Sequence, residues 1–208
     1  MVALSYSQKA ILAMKHLSRH DAVLDAAVRR TGVCTIVPHE NYFEELVSSI
    51  ISQQLSVKAA ATIEARFKNL FDGDIPEPVV IQKCSDDELR QAGLSLQKVH
   101  YIQDLCLHVI DGRLDLWDLS MKSNDEVEVE LTAVKGIAQW TAHMFMIFSL
   151  GRIDVLPVGD LGIRTGIEKL YGLQDRPTPE KVKGIARINN WHPYESFASW
   201  YVWQSLNL

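Results

Sequence analysis

The chain is poor in several things that would fix a function early. It holds three cysteines, Cys34, Cys84 and Cys106. Their odd number and wide separation exclude a disulfide framework and any close-spaced zinc or iron–sulfur ligand set, leaving reduced, mostly buried thiols. The histidines His16, His20, His39, His100, His108, His143 and His192 form no HExxH or other metal spacing and read as structural or solvated. No GxGxxG, GxSxG or P-loop motif occurs, which removes the common nucleotide-binding and serine-hydrolase readings. The longest apolar run, Met144 to Leu150, is far too short to cross a bilayer, so no membrane association is expected. The opening residues MVALSYSQKAILAMKHL lack a compact apolar core followed by a small-residue cleavage site. The expectation is therefore a protein that stays inside the cell. An excess of positive charge is also missing. The formal net charge of −5 argues against coating nucleic acid by bulk electrostatics, so any nucleic-acid role must rest on local geometry.

What is present is helical. An apolar fraction of 47% with 23% charged residues is ordinary for a globular chain, and 208 residues suffice for one sizeable core or two small lobes. No stretch alternates in the strand manner, which predicts an all-α fold, expected here as two helical lobes sharing a cleft. Apolar spacing predicts helices over Tyr6 to Leu17 and Asp21 to Thr31, ending at Gly32. From Tyr42 two helices follow, broken around Gln53 to Ser56, with Ser56 as N-cap of the second. DGDIPEPVV reads as turns. Ser85 with Glu88, and Ser123 with Glu126, have capping-box spacing, and Ser95 caps a helix running to Ile110. The last third reads as a helix from Leu161 to Tyr171, a proline-containing connector RPTPEK, and an aromatic-rich helix from Tyr194 to Leu206.

The stretch Leu131 to Arg164 concentrates the chemistry. Gly136, in Val134-Lys135-Gly136-Ile137-Ala138, lets the backbone turn tightly between two helices, the second beginning near Gln139. The first amides of that helix have no intrahelical partner, and their positive end is a ready site for a phosphate oxygen. Asp160 precedes the helical LGIRTGIEKLYG and reads as an N-cap, a role compatible with catalysis because backbone donors then fix its carboxylate in one direction. Trp200 and Trp203 read as core, whereas Trp140 and Tyr194 open their helices at positions where a ring can stack on a flat ligand. Gln53, Gln54, Leu55 and Ser56 form either an ordinary surface corner or a wedge entering a base stack. Lys135 and Arg164 are candidates for phosphate contact or for plain solvation.

These residues resemble the helix–hairpin–helix DNA glycosylases, and within them the 3-methyladenine DNA glycosylase II group. The resemblance runs from about Tyr42 to Leu206 and is carried by SQQLSVKAA at Ser52 to Ala60, LTAVKGIAQWTA at Leu131 to Ala142, FSLGRIDVLPVGD at Phe148 to Asp160, and ASWYVWQ at Ala198 to Gln204. It implies a terminal helical lobe over 1–40 and 136–208, a middle lobe over 41–135, and a helix–hairpin–helix at about 126–150. It also implies a minimal form without the larger relatives' N-terminal β domain. Asp160 matches the family's catalytic aspartate, and Trp140, Tyr194 and Met144 match its base pocket. Gln54 matches the wedge, with Gln53, Leu55 and Ser56 beside it. Lys135, Gly136, Ile137, Ala138 and Thr141 match the DNA-gripping hairpin, and Arg164 adds a further DNA contact.

The implied activity is monofunctional. Where bifunctional members carry a nucleophilic lysine, this chain has Trp140, so strand cleavage through a Schiff base is not expected. The partner implied is double-stranded DNA with alkylated purines or abasic sites, bound by a monomer. No cofactor or metal is required, although a monovalent cation could sit at the hairpin. Two departures stand out. Ala138 replaces the hairpin's second glycine, which predicts a strain of roughly 1 kcal/mol if its backbone is left-handed. Gly159 stands where close relatives often carry a second acid. The alternative reading is a non-catalytic binder of lesions or abasic sites.

Overall fold

The computed structural model of the chain describes residues 4–206. Among these it holds twelve α-helices, one short 3-10 helix at Asp118–Met121, and no strand. The chain divides into two compact units. One comprises Met1–Pro38 and Met146–Leu208, the other His39–Phe145.

The terminal unit is built from both ends of the sequence: α1 (Tyr6–His20), α2 (Ala22–Thr31), α10 (Leu161–Leu170), α11 (Pro179–Ile188) and α12 (Glu195–Ser205). Leu17, Leu24, Val28, Ile163, Ile167, Trp191, Phe197 and Tyr201 form the centre of its core. Gly166 permits α10 to lie directly on α12, because a Cβ there would stand 2.5 Å from a Val202 methyl. Asp21 is fully buried at the α2 N-terminus. Its carboxylate accepts from the Val23 and Leu24 amides at 3.0 and 2.9 Å, from the Trp191 indole at 2.8 Å, and from the Tyr171 hydroxyl. Four donors offset the desolvation of this charge and tie residues some 150 positions apart in sequence into one site.

The middle unit contains α3 (Tyr42–Ser52), α4 (Val57–Asn69), α5 (Pro78–Ile81), α6 (Asp86–Arg90), α7 (Leu96–Ile110), α8 (Asn124–Thr132) and the start of α9 (Gln139–Phe148). The chain thus leaves this unit within α9, after Phe145, rather than at residue 136 as the sequence reading placed it. Several bonds keep the hairpin with the middle unit. Gln139 donates to Glu128 at 2.7 Å, His143 pairs with Glu128 at 2.9 Å, and the Lys135 amide donates to Asp104 at 2.9 Å. The capping boxes at Ser5, Ser85 and Ser123 are formed, and Ser56 and Ser95 cap their helices as their positions predict.

Two elements differ from the sequence reading: α11 stands partly where a connector was expected, and α5 stands in a segment read as turns. Pro78 and Pro179 explain both. Proline was taken as a breaker, but each occupies the first helical turn, where its missing N–H costs nothing and its fixed φ is already helical.

Candidate active site

In the middle unit, the break between α3 and α4 is a tight turn. Gln53 has φ −51° and ψ 130°, Gln54 has φ +58°, and the Leu55 amide donates to the Ser52 carbonyl at 3.2 Å. This is type II geometry, which favours glycine or asparagine at its third position. Glutamine there costs about 1 kcal/mol or more, and such strain persists only where the surroundings enforce it. They do so here. The Lys98 ammonium donates to the carbonyls of Ile51 and Gln53 at 2.6 and 2.7 Å, and the Gln53 side-chain amide donates to the Gly136 carbonyl at 2.8 Å. Gln54, Leu55 and Ser56 stand exposed at the corner.

The glycine turn lies opposite. Gly136 has φ +86°, and a Cβ on it would stand 2.2 Å from the Tyr101 ring, so glycine is required twice over. Ala138 is not left-handed, and the strain expected there is absent. It sits at the start of α9 in ordinary backbone, its carbonyl accepting from the Ala142 amide at 3.0 Å. The amides divide into used and unused. Lys135 gives its amide to Asp104 and Ile137 gives its own to the Val134 carbonyl at 3.1 Å, while those of Gly136, Ala138 and Gln139 have no acceptor among the described residues. A cavity of about 480 Å³ is lined by Gln53, Gln54, Lys98, Tyr101 and the turn residues through Ala138. Unspent amides beside an ammonium bound only to carbonyls suit an oxyanion such as a phosphate.

In the terminal unit, Asp160 is 9% exposed and caps α10. Its Oδ1 accepts from the Ile163 amide at 2.7 Å and from the Trp203 indole N–H at 2.9 Å. Trp203, read from sequence as core, is half-buried, stacks on Phe148 with centroids 5.9 Å apart, and touches the carboxylate. Gly162 leaves room for this contact, since a Cβ there would lie 3.0 Å from both Asp160 Oδ1 and the Trp203 ring. Two donors, one of them carried on a stacked ring, thus converge on one oxygen, which fixes the carboxylate's direction.

The other expected site residues fall as follows. Trp140 is 52% exposed and Met144 half-buried one helical turn on, so they share a face of α9. Tyr194 is half-buried against His16 and Phe197. Lys135 is exposed but ion-paired with Asp104 at 3.4 Å, and Arg164 is held by the Pro177 carbonyl at 2.8 Å. Ile137 and Thr141, expected among the DNA contacts, are buried at 3% and 6% exposure, so their side chains do not stand on the surface. Lys98 and Trp203 were missed. Nothing in a sequence separates a lysine bound to carbonyls from a solvated one, or a tryptophan bound to a carboxylate from a core one.

A larger cavity of about 610 Å³ lies at the other end of α3, lined by Tyr42, Pro78 and Trp117 and edged by Glu40, Glu77 and Asp115. Its carboxylates disfavour an anionic ligand. Among the described residues no group of three or more His, Cys, Asp or Glu could hold a metal ion, and no helix is long and apolar enough to cross a membrane.

Comparison with known proteins gives a consistent picture. Residues 47–189 match the HhH-GPD superfamily base excision DNA repair proteins. An alkylbase DNA glycosidase-like protein of Schizosaccharomyces pombe is 30% identical over 200 residues, covering 92% of both chains. The crystal structure of a DNA-3-methyladenine glycosidase from Bacillus halodurans superposes with TM-score 0.84 at 41% identity, covering 92% of this chain and 87% of that one. The 3-methyladenine DNA glycosylase of S. pombe, solved in complex with abasic DNA, gives TM-score 0.80 at 33% identity over 94% and 97%.

Proposed function

Because the chain belongs to the HhH-GPD superfamily of base excision DNA repair proteins, we propose that it is a monofunctional DNA glycosylase of the 3-methyladenine type, acting as a monomer on alkylated purines in duplex DNA. The observation that carries this reading is the Asp160 carboxylate, nearly buried and held by the Ile163 amide and the Trp203 indole. An alkylated purine extruded from the stack carries positive charge, which makes it a good leaving group and an attractive partner for an electron-rich ring. Trp140, Met144 and Tyr194 offer the surfaces on which it stacks. The C1′–N bond breaks with its electron pair leaving on the base, and the sugar becomes cationic. Asp160 stabilises that charge and orients the water that adds to C1′, whose proton passes to solvent. The amides of Gly136, Ala138 and Gln139 hold a backbone phosphate, while Gln54 fills the gap left by the flipped nucleotide. Lys135 and Arg164 add charge near the backbone. No cofactor enters. A monovalent cation on hairpin carbonyls would supplement the amide grip, and exchanging potassium for a bulky organic cation in a binding assay tests it.

The chemistry is tested by incubating the protein with dimethylsulfate-treated duplex. Release of 3-methyladenine and 7-methylguanine, with strand breaks arising only after alkali, is expected. Breaks without alkali would contradict the monofunctional assignment. Absence of release with retained affinity for abasic duplex would favour the non-catalytic binder.

A further inference from the structure

The corner at Gln53 to Ser56 and the glycine turn are separated by 83 positions in sequence, yet one side chain bonds them directly: the Gln53 amide on the Gly136 carbonyl. A second group fixes the same corner from α7. Lys98 grips the Ile51 and Gln53 carbonyls, which lie on either side of the turn's opening residue. It has no carboxylate partner among the described residues, so its whole interaction is with the corner's backbone. Burial draws its ammonium pKa downward, the sense expected of a cation removed from water and paired with dipoles alone. Between these two anchors stands Gln54, left-handed and exposed. An exposed glutamine has no reason of its own to hold that conformation.

We infer that Lys98 and Gln53 are positioning residues that lock the left-handed Gln54 corner to the phosphate-gripping hairpin, so that wedge and grip enter the duplex as one preformed body. This rests on the glycosylase reading above. The consequence concerns substrates differently. A lesion base-paired within intact duplex must be displaced, and the energy of seating the backbone can then be applied to a wedge that does not yield. A lesion opposite a one-nucleotide gap has no pair to break and needs no rigid wedge.

The test is single-turnover excision of 7-methylguanine by wild type, Lys98→Met, Lys98→Arg and Gln53→Leu, each on two substrates: the lesion opposite cytosine and the lesion opposite a one-nucleotide gap. Lys98→Met and Gln53→Leu are each expected to slow excision from the paired substrate at least tenfold and from the gapped substrate less than threefold. Lys98→Arg, which keeps the charge and the donors, should recover most of the paired rate. Equal loss on both substrates, or no loss on either, would overturn the inference while wild-type activity leaves the glycosylase reading standing. A wild type inactive on both substrates would overturn that reading, and this inference with it. Gln53 is half-exposed, so Gln53→Leu keeps the test decisive if Lys98→Met does not fold.

Discussion

Gly136 and Ala138 sit two residues apart in the turn and meet different demands. Gly136 needs both its positive φ and the space the Tyr101 ring leaves, whereas Ala138 lies in ordinary backbone where its methyl costs nothing. Gly136→Ala is therefore expected to weaken binding to abasic duplex at least tenfold, through overpacking and strain that together reach about 2 kcal/mol. Ala138→Gly should change affinity less than twofold. Equilibrium titration of both variants checks this, and a large gain from Ala138→Gly would mean that the alanine constrains the hairpin after all. Sequence marked Gly136 correctly but misjudged its neighbour, because a motif position conveys a backbone conformation only where the turn really takes it. Trp203 shows the complementary limit. Helical spacing says which face of α12 an aromatic occupies, not that the facing neighbour is a carboxylate. Trp203→Phe keeps the stacking on Phe148 and removes the indole donor, so base excision should slow by about tenfold, the size of one charged hydrogen bond. Single-turnover rates on methylated duplex measure it.

Among the elements, α7 does more than its sequence announced. It carries Lys98 to the corner, Tyr101 beneath Gly136, and Asp104 to the Lys135 amide and ammonium. Burial pushes the Asp104 carboxyl up, but the Lys135 amide and ammonium with His108 outweigh it and hold it below the usual carboxylate range. A carboxyl lowered in the folded state contributes stability above its unfolded value, about 4, and that contribution fades as pH falls through the lower folded value. Asp104→Asn should therefore cost about 1 to 2 kcal/mol at pH 7 and markedly less near pH 3, read from urea midpoints at the two pH values. A difference independent of pH would show that the charge is immaterial. Capped helices such as α6, α7 and α8 were legible because Ser and Glu at fixed spacing satisfy the first amides locally. The cross-element bonds of α7 were not, since they depend on which helices become neighbours.

At the scale of the molecule, the all-helical fold and the family were legible because the informative stretches are local: the corner, the hairpin and the loop into Asp160 each keep their pattern within a dozen or so residues. The division into units was less so. The hairpin's second helix stays with the middle unit through Phe145, held by Glu128 and Asp104, contacts that no local pattern encodes. In the proposed function, gripping DNA by the hairpin and corner is separate from cleaving the glycosidic bond at Asp160, and the separation can be measured in one variant. Asp160→Asn preserves the N-cap, because asparagine caps about as well as aspartate, so the fold should lose no more than about 0.5 kcal/mol. Excision of 7-methylguanine in single turnover should fall at least a hundredfold, the order expected when a preorganised charge at a cationic transition state is removed. Affinity for abasic duplex should move less than threefold. Near-wild-type excision by Asp160→Asn would contradict the central claim.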